Sequence, residues 1–116
     1  MYDLFFYTTQ RGESPIDIFL DAVGDKPRAK IERFMDHLRI QGPNLPRPHA
    51  DILRGKIREL RVPYGRQQYR LLYFFQGKSI VLTSAFVKKT MAVSEGEISR
   101  SERRMTDWIG RYPGED

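Results

Sequence analysis

Arg61, Arg70 and the adjacent pair Lys88 and Lys89 are the side chains in this sequence whose types and spacing suit chemistry. Guanidinium groups present forked N–H donors matched to phosphate oxygens. A lysine crowded by other cations has its pKa lowered and can then accept a proton. Together these groups can support cleavage of RNA by internal transfer. The ribose 2′-OH loses a proton, charge building on the phosphate is stabilised, and the departing 5′-oxygen is protonated. Such a site needs neither histidine nor metal, but it needs the RNA held in line. The same residues also suit plain binding. A basic sheet is more often a binding surface than a catalyst, and Glu59 with Arg70 reads equally as a cross-strand ion pair worth roughly 0.2–1 kcal/mol. Lysines at a strand end can simply be solvated.

These residues come together only if 56–90 folds as three strands joined by tight turns. The alternation of β-branched and aromatic residues with polar ones, punctuated by Gly, predicts that meander. From Arg54 to Lys89 there are nine Lys or Arg and one acid, a local charge of +8, whereas the rest of the chain is net −3. A basic sheet of this kind suggests a polyanionic partner. A four-residue loop at Pro63 to Arg66 places Val62 opposite Gln67, Glu59 opposite Arg70 and Arg61 opposite Gln68. The second turn falls at Gln76 to Lys78, with Gly77 free to take positive φ. One face then carries Leu60, Val62, Tyr69, Leu71, Tyr73, Ile80, Leu82 and Phe86. The other carries Glu59, Arg61, Gln68 and Arg70 and continues through Thr83 and Ala85 to Lys89. A slip of one residue in the first turn would exchange the faces of the second strand.

The remaining elements supply the support. Tyr2 to Thr8 is a β-prone first strand. Ser14 and Pro15 open a helix whose Ile16, Phe19, Leu20 and Val23 form one stripe, ended at Gly24. Asp25 can cap a second helix with Ile31, Phe34, Met35 and Leu38 in the same spacing, stopped by Gly42. The two should form an antiparallel hairpin over the apolar face of the sheet. Pro43, Pro46 and Pro48 make Gln41 to His49 an ordered connection. Ser94 and Glu97 satisfy a capping box for a third helix. Its Ile98, Met105, Trp108 and Ile109 flank the small Ser101, and Arg100, Arg103, Arg104 and Arg111 line the other side as one wall of a groove. The expectation is a single α+β domain over residues 1–116, in the order β-α-α-β-β-β-α.

Composition narrows the function classes. The 116 residues include no cysteine, which removes disulfides, thiolate zinc sites and cysteine nucleophiles. His37 and His49 have no ligand-like spacing, so neither metal nor cofactor is expected. Leu4 to Tyr7 lacks the flanks of a secretory leader, and no stretch approaches the roughly 20 apolar residues of a membrane helix. A soluble cytoplasmic protein is the expectation.

Taken together, the order of elements resembles the RelE toxin superfamily. The pieces GPNLPRPHADIL, IRELRV, YRLLYFF with its glycine turn, FVKKT and EISRSERRMTDW resemble the HigB branch of phage-derived toxins across almost the whole chain. The resemblance implies the toxin of a type II toxin-antitoxin pair, cleaving mRNA in the ribosomal A site and inhibited by an antitoxin, commonly a HigA-like helix-turn-helix protein. It implies that Arg61, Arg70, Lys88 and Lys89 contact or activate the scissile phosphate. It also implies RNA contacts from Arg54 and Lys56, and the neighbouring cations Arg58, Arg66, Arg103 and Arg104 extend that set. Some HigB relatives carry a histidine near these strands and near the C-terminus, and this chain does not. The face argument then favours Lys89 as general base with Lys88 close behind, and leaves Trp108 or Tyr112 as base-stacking groups, although Trp108 equally suits the core. Two other classes share the pattern: a ParE-like inhibitor of DNA gyrase, and a nucleic-acid or ribosome-binding module without catalysis.

Overall fold

The computed structural model describes residues 1–114. Strand β1 (Asp3–Phe6) leads to helices α1 (Pro15–Ala22) and α2 (Asp25–Gln41) and a single 3-10 turn (Gly42–Asn44). Strands β2 (Ala50–Arg54), β3 (Ile57–Tyr64), β4 (Gln67–Gln76) and β5 (Ser79–Val87) follow, and α3 (Glu95–Arg111) completes the fold. They form one five-stranded sheet in the order β1-β5-β4-β3-β2, in which β1 runs parallel to β5 and every other pairing is antiparallel. The α+β class and element order match the expectation, with one strand added. Ala50–Arg54 follows the proline-rich connection and pairs with β3 along the sheet edge. As an edge strand it leaves Ile52 exposed, so its alternation is weak in the sequence.

The helices begin where their caps dictate. Ser14 accepts from the Asp17 N–H at 3.3 Å with Pro15 in the first turn, and Ser94 accepts from the Glu97 N–H at 3.2 Å. Gly24, at φ +93, takes the cap position of α2, so Asp25 is the first helical residue and its carboxylate sits at the positive end of the helix. Ile16 and Leu20 of α1 and Ile31, Met35 and Leu38 of α2 bury against Leu60, Val62, Tyr69, Leu71, Tyr73, Ile80 and Leu82 of the sheet. On the opposite face a smaller cluster of Tyr7, Phe74 and Val81 packs under Met105 and Trp108 of α3.

Two details of register differ from the sequence reading. The first turn contains two residues, Gly65 at φ +58 and Arg66, closed by the pair Tyr64 and Gln67. Pro63 stays in the ladder opposite Gln68, with its carbonyl taken by the Lys30 ammonium. Arg61 therefore lies opposite Arg70 and Glu59 opposite Leu72, a shift of two residues that preserves the faces. The second difference changes a face. Leu72 pairs with Ser84 but Tyr73 pairs with Leu82, so Thr83 is an extra residue in β5. Beyond this bulge the alternation reverses. Ala85 and Val87 join the helical core, and Phe86, expected there, lies opposite Arg70 on the other face.

Gly42 illustrates how tightly the chain is threaded between α2 and the sheet. It sits at φ +55, and a Cβ there would lie 2.4 Å from the Tyr2 ring. Gly42→Ala is expected to lower stability by at least about 1–3 kcal/mol. A urea titration checks this, through a lower midpoint at unchanged slope.

Candidate nucleic-acid interface

β3 and β4 place Arg61 and Arg70 side by side, and like charges directly opposite on a ladder are destabilising. The Glu59 carboxylate offsets this from within the same face. Its Oε1 is 2.8 Å from Arg70 Nε and 3.3 Å from Arg61 Nε. The Glu59 and Arg70 side chains are only 5 % and 7 % exposed, whereas Arg61 is 31 % exposed. Asp51 on β2 adds a further acid, its Oδ2 lying 3.3 Å from Arg61 Nη2 and 3.0 Å from Arg47 Nε. The Ile52 N–H, followed by Arg47, holds the Asp51 carboxyl below the usual carboxylate range.

The donors are only partly satisfied. Arg70 Nη1 donates to the Tyr69 carbonyl at 3.1 Å and reaches the Gln68 amide oxygen at 3.4 Å. Both Nε atoms are buried at ion-pair distance from Glu59 without an aligned hydrogen bond. Among the described residues, Arg61 Nη1 and Arg70 Nη2 donate to no protein acceptor. Burial pushes the Arg70 guanidinium below its ordinary pKa; the Arg61 charge adds to this and the Glu59 charge opposes it. The arrangement is a pair of fixed cations with spare forked donors, which suits a phosphate.

The bulge in β5 also sets which lysine shares the face of Arg70. The Lys88 N–H donates to the Gln68 carbonyl at 2.7 Å, which continues the ladder one step past Val87 opposite Tyr69. Lys88 is thereby in register with Gln68, on the face of Arg70 and Phe86, and is half-buried. Lys89 follows with the opposite alternation and is exposed. The face argument that pointed to Lys89 assumed an unbroken strand, and one extra residue at Thr83 transfers it to Lys88.

The other anticipated cations are dispersed. Arg54 is bound into the protein, 2.7 Å from Glu95 and 2.7 Å from Glu102 on α3, and its pKa is raised by Glu102 first and Glu95 next. Arg104 donates to the Thr83 carbonyl at 2.8 Å and to Ser84 Oγ at 3.1 Å, with burial pushing its pKa down. Arg58 lies opposite Tyr73 on the helical face, 5.2 Å from the Phe75 ring centroid. Lys56, Arg66 and Arg103 are exposed. Trp108 packs beside Phe5, Tyr7 and Tyr112, with ring centroids 6.2, 6.3 and 4.6 Å away. Tyr112 is half exposed beside a groove of about 470 Å³ at the Gln76 end of β4, far along the strand from Arg70.

The sequence reading treated Glu59 as an ordinary ion-pairing residue and passed over Asp51. The E-L-R spacing places Glu59 and Arg61 on one face, and that signal alone could have marked Glu59 as the partner of Arg61. Among the described residues no group of His, Asp or Glu is arranged to hold a metal, and no helix is long and apolar enough to cross a membrane.

A five-stranded sheet in an α+β fold, with two guanidinium groups fixed on the face that α3 partly covers, defines the architecture of this small basic protein. The family model for Phage derived protein Gp49-like (DUF891) matches residues 18–106, and the chain belongs to that family, one of the RelE/HigB-like toxin group. This membership is consistent with a toxin of a toxin-antitoxin system and suggests an antitoxin partner. No curated protein matches the sequence.

Two outcomes test this geometry. Glu59→Gln removes the charge between two facing guanidinium groups, and stability should fall by about 3 kcal/mol or more, read by chemical denaturation. The second concerns acid. Glu95 and Glu102 are both held below their ordinary pKa, Arg54 being the largest cause in each case. Their stabilising contribution is therefore complete above the unfolded value, about 4.3, and is lost as pH falls through the lower folded values. Amide protection factors in α3, corrected for the pH dependence of intrinsic exchange, should fall over that acid range, and Arg54→Ala should remove the dependence.

Proposed function

We propose that this protein is the toxin of a type II toxin-antitoxin pair and acts as a ribosome-dependent mRNA endonuclease. The observation that supports this best is the Arg61 and Arg70 pair, oriented by Glu59 and carrying unused Nη donors, with Lys88 next in register. Arg61, the more exposed of the two, meets the non-bridging oxygens of the scissile phosphate. Arg70 presents one edge and fixes the position of Arg61 through Glu59. Lys88 takes the proton from the ribose 2′-OH. The 2′-oxygen then bonds to phosphorus, the bond from phosphorus to the 5′-oxygen breaks, and that oxygen takes a proton from solvent. The products are a 2′,3′-cyclic phosphate and a 5′-hydroxyl.

Lys89 adds positive charge beside the base, and Lys56, Arg66 and Arg103 track the RNA or ribosomal backbone. Arg54, Arg58 and Arg104 serve the fold first, and they reach RNA only by exchanging the contacts they already make. His49, whose carbonyl accepts from the Arg61 N–H, has its ring 5.5 Å from that of Phe34 on α2, so rate enhancement comes from positioning and from stabilising phosphate charge. The ribosome supplies the in-line geometry that the small protein cannot impose alone. A helix-turn-helix antitoxin that covers the basic face with acidic side chains would block the site.

Primer extension on a defined mRNA, with and without translating ribosomes, tests the proposal. In-frame cuts are expected only when ribosomes are present. Arg61→Ala and Arg70→Ala should each slow cleavage by roughly 100-fold or more. Lys88→Ala should cost more than Lys89→Ala, and the reverse order would return the base role to Lys89. If folded, antitoxin-free protein makes no cuts in either condition, the cationic face is a binding surface, and a gyrase assay then separates a gyrase inhibitor from a plain binding module.

A further inference from the structure

Among the described residues, Phe86 is the one apolar ring the bulge delivers to the cationic face. It lies directly opposite Arg70, so the two side chains leave the sheet on the same side, flanked along that face by Glu59, Arg61, Gln68 and Lys88. It belongs to neither hydrophobic cluster, although the residues on either side of it, Ala85 and Val87, pack against the larger one. Among the described residues it pairs with no other ring and has no cation over its face. It remains partly exposed. Without the extra residue at Thr83, the alternation would have put this ring in the core and Ala85 among the cations. A strand that sends its phenylalanine out among guanidinium, ammonium and amide groups buries less apolar surface than it could, and that loss is offset if something planar covers the ring.

We propose that Phe86 is a stacking platform for a nucleobase flanking the phosphate held by Arg61 and Arg70. The inference rests on the nuclease function proposed above and names the part of the substrate that this side of the site recognises. Directly opposed side chains have Cβ atoms about 5 Å apart, so a ring and a guanidinium in this relation meet neighbouring parts of one nucleotide. Aromatic stacking accepts any base because every base has a π-face, whereas the forked donors beside it read only phosphate. The site therefore grips single-stranded RNA as base plus phosphate with little choice of sequence on its own. Phe86 touches no reacting atom and is a positioning residue: it holds the nucleotide so that the 2′-oxygen stays in line.

The test is a two-by-two comparison of single-turnover cleavage on ribosomes carrying synthetic mRNA. One axis is wild type against Phe86→Leu and Phe86→Tyr. The other is a normal nucleotide against an abasic one, placed in turn on each side of the cut. In the wild type, removing one of the two flanking bases should slow cleavage roughly tenfold or more, the scale of one base-aromatic stack. Phe86→Leu, which keeps apolar bulk, should be slowed by a similar factor and should lose the abasic penalty, while Phe86→Tyr should keep both rate and penalty. A purely structural phenylalanine would leave the abasic penalty equal in wild type and Phe86→Leu, and that result overturns the inference while cleavage itself stands. A wild type indifferent to both abasic positions overturns it as well. A wild type that cuts none of these messages defeats the nuclease proposal, and the stacking role falls with it. Urea titration of each variant identifies any loss caused by unfolding.

Discussion

Two guanidinium groups directly opposite on neighbouring strands repel, and the open face of this sheet depends on the buried carboxylate set beside them. Glu59 reaches the Nε of both arginines through one oxygen, at 2.8 and 3.3 Å. The neighbouring Asp51 contacts are made by Arg61 and Arg47 side chains that keep 31 % and 77 % of their exposure, and ion pairs of that kind contribute about 0–1 kcal/mol. The Glu59 and Arg70 pair is different because both partners are out of water. Breaking it leaves a buried charge without compensation, on the scale of 3–5 kcal/mol. The face is thus governed by one ion pair, with the exposed pairs tuning it. Arg70 is held out of solvent in this pair, whereas Arg61 is only partly withdrawn from it.

The second constraint is a single residue of β5. Thr83 is surplus to the ladder, and its hydroxyl lies 3.1 Å from the Leu72 carbonyl oxygen and 3.0 Å from Ser101 Oγ. Ser84 is 2.9 Å from the same Ser101 hydroxyl, so both residues at the bulge are turned toward α3. Buried hydroxyls demand partners, and small Ser101 lets the helix approach closely enough to provide them. Arg104 completes the contact by binding the Thr83 carbonyl and Ser84 Oγ. One local irregularity therefore docks α3 and, further along the strand, puts Phe86 and Lys88 on the face of Arg70.

These two features explain what the sequence made legible. The apolar stripes of α1 and α2, the caps at Ser14 and Ser94 and the stop at Gly42 are local signals, and each falls where expected. The inward residues of β3 and β4 were also readable, because the turn at Gly65 is shorter than supposed by an even number of residues and an even shift preserves the faces. Phe86 and Ala85 were misplaced because a bulge is an odd shift, and nothing in the pattern of S-I-V-L-T-S-A-F-V distinguishes Thr83 from its neighbours. β2 was missed because five residues at an edge, with Ile52 turned to solvent, lack a strong alternation. The cation inventory was legible as a total but not as a distribution. Whether an arginine is free depends on distant acids: Arg54 is taken by Glu95 and Glu102, which lie more than forty positions away in the chain.

That distribution bears on how so small a site can do work. Arg54 and Arg104 tie α3 to the sheet, so the helix rests on the half of the face that contains Phe74, Val81 and Thr83. Arg61, Arg70 and Phe86 lie on the same face beyond those contacts, all carried by strands. Side chains on paired strands are held more precisely than side chains on loops, and charge that is already oriented costs no reorganisation when a phosphate arrives. The cost is met earlier, in folding, when Arg70 and Glu59 are taken out of water together. A basic protein that relied on flexible lysines alone would attract RNA as strongly at long range, since that attraction depends on net charge. It would not hold two guanidinium groups at fixed positions beside a partly exposed ring. The combination of a buried Glu-Arg pair with an outward-facing Phe86 is what distinguishes this face from a generally basic surface.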